Sequence, residues 1–586
     1  METSLIREKP FRPLAHDKLC SLKMNYRYMK EEFSTDYLWK AFCFLFLILQ
    51  LAGTKESYAQ DMGEKYASQV WVSDQGDGTF TNPVLYADYS DPDVVRVGDD
   101  FYMTVSSFNC MPGLPILHSK DLVNWTIINH AVHRLIPYEV YEVPQHSKGV
   151  WAPTIRYHEG EFYIYWGDPD FGVFMVKTKD PSEKWSDPVL VLEGKGIIDP
   201  SPLWDGDQAY LVHAWAGSRA GVNSLLTIRK MNVEGTRVLD EGKNVFSGHD
   251  NHHTVEGPKL YKKDGYYYIF APAGGVEEGW QLVLRSKDIY GPYEEKVVIE
   301  QGGTDINGPH QGAWVNTQNG EDWFVHFQDQ GVYGRVLHLN KINWSEGWPL
   351  MGEDLDGNGI GEPLKSYQKP DVGGDYPKAT PQESDGFKDG KPGLQWQWYA
   401  NPSVKWSAQI PGTDYLRLFA MSKKELPNLW DQPNLLLQKL PAPSFSANTK
   451  VKLGIEWNTA GKSAGLIMMG QSYAYVGITY KDGNYYVQQV NCMAAIDGNP
   501  EKVIEEKMLS ANEVYLKMDV RAPDATCYFS YSEDGENYTS IGLPFKAEKD
   551  LWISAKMGLF TVSEADVRMG SYADFDWFSV NGVGKE

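Results

Sequence analysis

A short pattern of alternating apolar and polar positions recurs five times between residue 92 and about residue 350. Each copy opens on a proline, or on alanine in the fifth copy, passes through a glycine-containing turn, and places an aromatic residue ten positions after its start. Period-two alternation on both sides of such a turn is typical of a β-hairpin. The five copies begin at Pro92, Pro153, Pro200, Pro258 and Ala313.

The spacing of the copies indicates how many strands each one contains. Successive starts lie 61, 47, 58 and 55 residues apart. This length accommodates a four-stranded antiparallel sheet per copy, but it is too short for a β-α-β crossover at every step. A β-sandwich with coincidental turns would have no reason to repeat in this way. The sequence therefore predicts an all-β fold that begins with a five-bladed β-propeller over residues 81–362.

The pattern changes after residues 363–384, a segment rich in Pro, Gly and Lys that we interpret as a linker. Over residues 385–586 the apolar period is two, as at 514–520, and Asp-Gly turns at 482–483 and 534–535 suit antiparallel hairpins. The second half is therefore predicted to be a β-sandwich accessory domain, a concanavalin-like jelly roll.

The N-terminal region has the features of a targeting segment. An apolar run of about 13 residues, 41–53, follows Lys40 and precedes the small-residue site at 57–59. This order is typical of a cleavable secretory signal, and the run is shorter than the roughly 20 residues that a membrane-spanning helix needs. Residues 1–59 are interpreted as a signal peptide region. We expect a secreted protein, periplasmic or extracellular, with no membrane span after signal cleavage.

The composition of the chain argues against some classes of binding partner. The 586 residues include 55 Lys and Arg against 78 Asp and Glu, which gives a formal net charge of −23. Such an acidic chain is poorly suited to phosphate backbones, so nucleic acid is not an expected partner. Beyond the signal region, Cys110, Cys492 and Cys527 show no metal-binding spacing. Free thiols are favoured, although a Cys492–Cys527 bridge stays open in an oxidising compartment.

The residues just before each repeat start form the candidate site. In a propeller the first strand of each blade lies nearest the axis, so these residues surround the mouth of one channel. Three of the five copies place a carboxylate there, and converging carboxylates repel one another at a cost to the fold. The five positions are Asp91, Ala152, Asp199, Glu256 with Gly257, and Gly312.

Three converging carboxylates have two common uses, which are binding a hard cation such as Ca²⁺ and acid–base catalysis at a glycosidic bond. We favour catalysis because two Asp and one Glu from different blades can have unequal environments. Glycoside hydrolysis needs one carboxyl group ionised and another protonated near neutral pH.

Four phrases around the repeat starts carry a family resemblance. They read Asn82-Pro-Val-Leu-Tyr-Ala-Asp-Tyr-Ser-Asp91-Pro-Asp, Gly-Val-Trp151-Ala-Pro, Ile-Ile-Asp199-Pro-Ser-Pro and Thr-Val-Glu256-Gly-Pro. In this order they resemble glycoside hydrolase family 43. The second half resembles the β-sandwich that follows the propeller in the β-xylosidase and α-L-arabinofuranosidase branch, where it packs on the propeller and can supply a loop that closes the pocket.

The resemblance implies a role for each carboxylate. Asp91 would be the general base, Glu256 the general acid, and Asp199 the group that orients the acid and tunes its pKa. It also implies inversion at the anomeric carbon, with the carboxyl groups of base and acid roughly 6.5–9.5 Å apart.

Four further positions carry over from the resemblance. Phe108 and Trp151 match the aromatic walls of the subsite for the terminal sugar, and Arg335 matches an arginine that holds sugar hydroxyls or the catalytic carboxylates. His310 matches a histidine beside a Ca²⁺ ion or water cluster in the channel, with a purely structural histidine as the alternative. No cofactor is required for the chemistry, and a structural Ca²⁺ in the propeller channel is the one metal considered.

Two local features depart from family or motif patterns. Phe108 is followed by Asn, Cys, Met, Pro and Gly, where many β-xylosidases of the family have Glu-Trp-Phe, so the choice between xyloside and arabinofuranoside stays open. Residues 354–362 begin like an EF-hand loop, but Lys365 occupies the place of its bidentate Glu. A glycine-rich connecting loop is the favoured interpretation.

The expected function is that of a secreted, inverting exo-glycosidase. It would hydrolyse terminal α-L-arabinofuranosyl or β-D-xylosyl residues of plant cell-wall polysaccharides or oligosaccharides. Two alternatives stay open: a retaining fructan hydrolase, which also uses Asp, Asp and Glu on five blades, and a non-catalytic carbohydrate-binding protein. The sequence does not fix an oligomeric state.

Overall fold

The computed structural model describes residues 66–454, 461–565 and 571–583. The predicted signal peptide region, 1–59, lies outside the described residues. In the described part of the chain, no helix is long and apolar enough to cross a membrane. The only α-helix described there is α1, Gly217–Ala220, and the fold is otherwise built from β-strands and short 3-10 turns.

The first half forms five antiparallel sheets of four strands each, and within each sheet the strands follow one another in chain order. The propeller prediction is confirmed. Strand β1 is Thr79–Thr81, and the blades are β2–β5 (Asp93–Val97, Asp100–Thr104, Gly113–Ser119, Trp125–Val132), β6–β9 (Trp151–His158, Glu161–Asp168, Gly172–Thr178, Val189–Glu193), β10–β13 (Ile197–Asp205, Gln208–Trp215, Leu225–Met231, Lys243–Ser247), β14–β17 (Lys259–Lys263, Tyr266–Ala273, Trp280–Ser286, Glu294–Ile299) and β18–β21 (His310–Asn316, Asp322–Asp329, Arg335–Ser345, Trp348–Met351).

The two ends of the propeller are tied together. Strand β22, Ser366–Gln368, pairs antiparallel with β1, so part of the segment interpreted as a linker is a strand. The amide of Leu337 in β20 donates to the carbonyl of Leu85 at 3.0 Å, and the side-chain amide of Asn82 donates to the carbonyl of Leu339 at 2.9 Å. These bonds fix the segment that leads to Asp91 against the fifth blade.

Each blade begins with one residue in a left-handed backbone conformation. In the fifth blade this residue is Gln311, so the position predicted for Gly312 is displaced by one. A Cβ on Gly312 would lie 1.8 Å from the carbonyl oxygen of Val325, which shows that Gly312 packs against β19 instead of facing the channel mouth. The five residues, with their φ angles, are Asp91 (56°), Ala152 (31°), Asp199 (55°), Gly257 (55°) and Gln311 (52°).

The second half is a sandwich of two eight-stranded sheets, which confirms the predicted architecture. One sheet contains β23 (Gln397–Trp398), β26 (Met421–Ser422), β27 (Leu436–Lys439), β29 (Lys462–Met469), β30 (Tyr473–Lys481), β31 (Asn484–Cys492), β32 (Lys502–Leu509) and β37 (Lys556–Ser563). The other contains β24 (Ser407–Ala408), β25 (Leu416–Phe419), β28 (Phe445–Gly454), β33 (Glu513–Arg521), β34 (Thr526–Ser532), β35 (Thr539–Ser540), β36 (Phe545–Lys546) and β38 (Tyr572–Asn581).

The sandwich is docked on the propeller by backbone and side-chain bonds. Met111 and Trp398 exchange two backbone hydrogen bonds, of 2.9 and 2.6 Å. Tyr333, in the 3-10 turn Gly331–Tyr333 before β20, is buried among the apolar residues of the sandwich core, and its hydroxyl donates to the carbonyl of Pro443 at 2.8 Å. The 3-10 turns Lys388–Gly390 and Ala495–Asp497 complete the regular structure.

The three cysteines of the described chain, Cys110, Cys492 and Cys527, are buried free thiols. The preference for free thiols is confirmed, and the Cys492–Cys527 bridge is not formed.

Candidate active site

One pocket at the channel mouth brings together six of the seven residues that the sequence singled out. The seventh, His310, is a neighbour in the chain of the lining residue Gln311. The six lining residues are Asp91, Phe108, Trp151, Asp199, Glu256 and Arg335, and the pocket has a volume of about 180 Å³.

Asp91 is held by two donors. Nη1 of Arg335 donates to its Oδ1 at 2.9 Å, and the hydroxyl of Ser106 donates to its Oδ2 at 2.5 Å. The Ser106 oxygen also accepts the amide N–H of Ala152 at 2.8 Å, so the serine proton is directed at Asp91. A carboxylate that accepts from arginine forms charge-assisted bonds, which are the stronger class of hydrogen bond. Both oxygens of Asp91 are therefore held by protein donors, one of them a charged guanidinium.

Asp199 lies at a β-bulge in β10, which turns its side chain into the pocket. Its Oδ2 accepts the amide N–H of Gly257 at 2.8 Å, and Gly257 directly follows Glu256. Burial raises the pKa of the Asp199 carboxyl, and the charge of Asp91 raises it further, although the Gly257 amide opposes both. This hydrogen bond holds Asp199 against the peptide unit that directly follows Glu256.

Glu256 has a different environment from Asp91. It is half-buried, and within the described residues its carboxylate has no protein hydrogen-bond partner. Burial raises its pKa, and the charges of Asp199 and Asp91 add to the rise. The pocket therefore holds one carboxylate that is bound by two donors, Asp91, and one carboxyl group whose raised pKa favours its protonated form, Glu256. Acid–base catalysis requires carboxyl groups in such unequal environments.

Two aromatic rings form one corner of the pocket. Phe108 is buried with a φ of 51°, and its backbone pairs with that of Val150. The rings of Phe108 and Trp151 lie 6.4 Å apart at an angle of 59°. The indole Nε1 of Trp151 donates to the carbonyl of Ser147 at 2.9 Å, which fixes the ring plane. The corner offers a rigid apolar surface that can cover one face of a sugar ring.

Several lining residues were missed by sequence reasoning. Gln311 could have been found by shifting the fifth repeat by one residue. The residues around α1 belong to the connection between β11 and β12, which lies outside the repeated hairpin, and Trp552 comes from a loop of the sandwich. The polar and aromatic lining residues not singled out are Trp215, Ser218, Asn223, Thr254, Gln311 and Trp552.

Trp552 brings the second domain to the pocket. Its backbone is left-handed, with a φ of 64°, and the side chain is 55% exposed although it lines the pocket. An exposed indole on a strained turn gains little for the fold, since its apolar surface remains in water. The sandwich therefore contributes a wall of the pocket as well as packing.

His310 is buried behind the pocket, and its Nδ1 lies 2.6 Å from the carbonyl oxygen of Gly308. Burial lowers its pKa to about 4, so the ring is neutral and donates from Nδ1. Across the described ranges, no three His, Cys, Asp or Glu side chains converge as metal ligands. Ca²⁺ prefers six to eight oxygen ligands, which one imidazole nitrogen does not supply.

The EF-hand-like segment is held by its own backbone. Asp354 accepts the amide N–H groups of Gly357 and Gly359 at 2.8 and 3.0 Å, and Asp356 accepts that of Asn358 at 3.0 Å. The ammonium of Lys365 pairs with Asp305 at 2.6 Å. These bonds support the interpretation as a glycine-rich connecting loop.

Comparison with known proteins agrees with this architecture. The model of the family described as "Glycosyl hydrolases family 43" matches residues 80–349, and that of the "Beta xylosidase C-terminal Concanavalin A-like domain" matches residues 384–581. A putative beta-xylosidase of Xylanibacter ruminicola is 38% identical over 83% of this chain and 87% of its own. A non-reducing end alpha-L-arabinofuranosidase of Bacteroides ovatus is 33% identical over 64% of this chain and 70% of its own.

Solved structures show the same two-domain arrangement. The crystal structure of a family 43 protein from Bacillus licheniformis is 26% identical, with a TM-score of 0.73, over 86% of this chain and all of that one. A xylan beta-1,4-xylosidase of Bacillus halodurans is 25% identical, with a TM-score of 0.74, over 86% of this chain and 99% of that one. The match in sequence and structure extends through both domains, and the chain therefore belongs to glycosyl hydrolase family 43 and is a glycoside hydrolase.

Proposed function

We propose that this protein is a secreted, inverting exo-glycosidase that removes terminal α-L-arabinofuranosyl or β-D-xylosyl residues from plant cell-wall polysaccharides or oligosaccharides. The observation that carries the proposal is the unequal environment of two carboxyl groups in one pocket. Arg335 and Ser106 donate to Asp91, whereas Glu256 has no protein partner among the described residues and a raised pKa.

In the proposed mechanism Asp91 is the general base. It accepts a proton from a water molecule, whose oxygen attacks the anomeric carbon from the face opposite the leaving group. Glu256 donates its proton to the glycosidic oxygen as the bond between that oxygen and the anomeric carbon breaks. The configuration at the anomeric carbon is inverted, and the two carboxyl groups exchange protonation states before solvent resets them.

Asp199 and Arg335 support the two reacting groups. Asp199 accepts the Gly257 amide, which restrains the backbone beside Glu256, and its charge helps to keep Glu256 protonated. Arg335 holds one oxygen of Asp91, which leaves the orientation of the base fixed before substrate binds. Because protein donors and acceptors hold Asp91 and the backbone beside Glu256, the catalytic arrangement is largely preorganised.

The dimensions of the pocket favour exo-action. Its volume of about 180 Å³ lies below the roughly 300–1,000 Å³ of pockets that hold drug-sized ligands, which suits one terminal sugar. Secretion is proposed from the apolar run 41–53 and the small-residue site that follows it. The relatives named above include a putative beta-xylosidase and an alpha-L-arabinofuranosidase, so both sugars belong in the proposal.

Trp552→Ala is expected to raise KM for an aryl glycoside by about 2- to 10-fold, because a ring that packs on sugar or aglycone contributes roughly 0.5–1.5 kcal/mol. The value of kcat should change less, since the indole of Trp552 transfers no proton in the proposed mechanism. Steady-state kinetics check this, with Leu543→Ala, another exposed apolar residue of the sandwich, as the control. An unchanged KM would remove Trp552 from the binding surface.

The proposed function is tested by hydrolysis of aryl α-L-arabinofuranoside and aryl β-D-xylopyranoside by the protein, with Glu256→Ala alongside. We expect turnover of at least one substrate, and the ratio of the two kcat/KM values identifies the sugar. Binding of either pentose without turnover of any glycoside, by protein with intact near-ultraviolet circular dichroism, would instead support the carbohydrate-binding alternative.

A further inference from the structure

Asp88 is a buried carboxylate that joins the propeller to the sandwich. It lies three residues before Asp91 and is 1% exposed. Its Oδ1 accepts the amide N–H of Arg335 at 3.0 Å, and its Oδ2 accepts the amide N–H of Ser554 at 2.9 Å. One carboxylate therefore binds a propeller strand with one oxygen and a sandwich loop with the other.

The two amides that Asp88 accepts belong to segments that build the pocket. Arg335 carries the guanidinium that donates to Asp91. Ser554 lies two residues after Trp552, which forms the sandwich wall of the pocket. Gly334, before Arg335, packs so closely on Asp88 that a Cβ there would lie 2.5 Å from the Asp88 Cγ. The position of Asp88 is thus tightly defined by the backbone it contacts.

The charge of Asp88 also interacts with two neighbouring lysines at this junction. Lys439 in β27 and Lys556 in β37 are direct cross-strand neighbours, and Lys556 is 2% exposed. Like charges placed opposite each other on neighbouring strands are destabilising. Within the described residues neither ammonium group has a hydrogen-bond partner. Burial alone would raise the pKa of Asp88, but both lysine charges and both amides outweigh it and lower the pKa.

We propose that Asp88 is a positioning residue for the reaction, because it couples the placement of Arg335, and through it Asp91, to the placement of the sandwich loop that carries Trp552. This inference rests on the proposed function for its catalytic consequence. It assigns the sandwich a part in orienting the base, in addition to lining the pocket. Weakening the hydrogen bonds from the amides of Arg335 and Ser554 to Asp88 should therefore affect both kcat and KM.

The test is Asp88→Asn, which keeps the shape of the side chain but removes its charge and one acceptor. We expect kcat on the better aryl glycoside to fall about 10- to 100-fold, since small misplacements of a reacting group have effects of this size. KM should rise as the Trp552 loop loosens. The matched control is Asp385→Asn in the sandwich, where a buried carboxylate accepts the amides of Phe387 and Gly393 away from the pocket.

A double-mutant cycle with Trp552→Ala separates positioning from mere stability. If Asp88 orients the Trp552 loop, the rise in KM caused by Trp552→Ala should shrink in the Asp88→Asn background, because coupled residues are non-additive. Kinetics are measured below the unfolding transition of every variant. Lowered thermal stability with unchanged kcat and KM, or additive effects in the cycle, would overturn the proposal.

Hydrogen exchange gives a readout that does not depend on turnover. The amides of Arg335 and Ser554 should exchange faster in Asp88→Asn than in the wild type, and should be unaffected in Asp385→Asn. If the wild-type protein hydrolyses neither aryl glycoside, the proposed function fails, and unchanged exchange at both amides overturns the role of Asp88 separately. Faster exchange at both amides supports the coupling in either case.

Discussion

Asp91→Asn is expected to lower kcat by about 10²- to 10⁴-fold, the usual contribution of a general base. The asparagine keeps the volume of the side chain but cannot accept the proton of the attacking water. The loss should be similar for substrates with good and poor leaving groups, because the attack of water is needed in each case. Steady-state kinetics with a series of aryl glycosides measure this.

The control for Asp91→Asn is Asp385→Asn, which removes a buried carboxylate far from the pocket and should retain nearly wild-type kcat. Thermal unfolding of both variants shows whether loss of the ion pair with Arg335 has affected the fold. If Asp91→Asn, folded as the wild type is, retained more than a tenth of wild-type kcat, Asp91 would not be the base.

Glu256→Gln should have an effect that depends on the leaving group. With an unactivated disaccharide, kcat/KM should fall about 10²- to 10⁴-fold, because the glycosidic oxygen must then leave without a proton. With an aryl glycoside whose phenol leaving group has a low pKa, the loss of kcat/KM should be small. A plot of log kcat against leaving-group pKa is expected to be steep for the variant and shallow for the wild type. Equal losses on all substrates would contradict the role of general acid.

The pH dependence follows from the same residue. Burial and two neighbouring carboxylates raise the pKa of Glu256, so the acid keeps its proton to a higher pH than an ordinary glutamate does. Activity should be lost as the pH rises through this raised pKa. For wild-type protein on an unactivated substrate, this loss forms the alkaline limb of the profile. On the same unactivated substrate, the residual activity of Glu256→Gln should lack that limb, since the glutamine does not titrate.

Much of the fold could be predicted because it is encoded locally. Each hairpin of the propeller is specified by alternation and a turn within some ten residues, and the repeat then gives the number of blades. The same periodicity predicts that Asp91, Asp199 and Glu256 lie at one channel mouth, and the pocket includes all three. Arg335, Phe108 and Trp151 came from the family resemblance, and the pocket includes all three.

The residues that escaped prediction depend on contacts between distant segments. Trp552 reaches the pocket only because the sandwich docks beside the fifth blade, and no local pattern encodes that docking. Asp88 lies in the conspicuous segment just before the first repeat, but its second hydrogen-bond partner, Ser554, is 466 residues away in the chain. The displacement of Gly312 by Gln311 follows from the length of the first turn of the fifth blade, since five residues separate β18 from β19 but two separate the first two strands of each other blade.

The most direct test of the account is the stereochemical course of hydrolysis, followed by proton NMR on the better aryl glycoside from the first minutes of reaction. The account predicts inversion, so that an α-L-arabinofuranoside first releases β-L-arabinofuranose, or a β-D-xyloside first releases α-D-xylose, before mutarotation. First release of the sugar with retained configuration would contradict it, because Asp91 would then act as a nucleophile, as in the fructan hydrolase alternative.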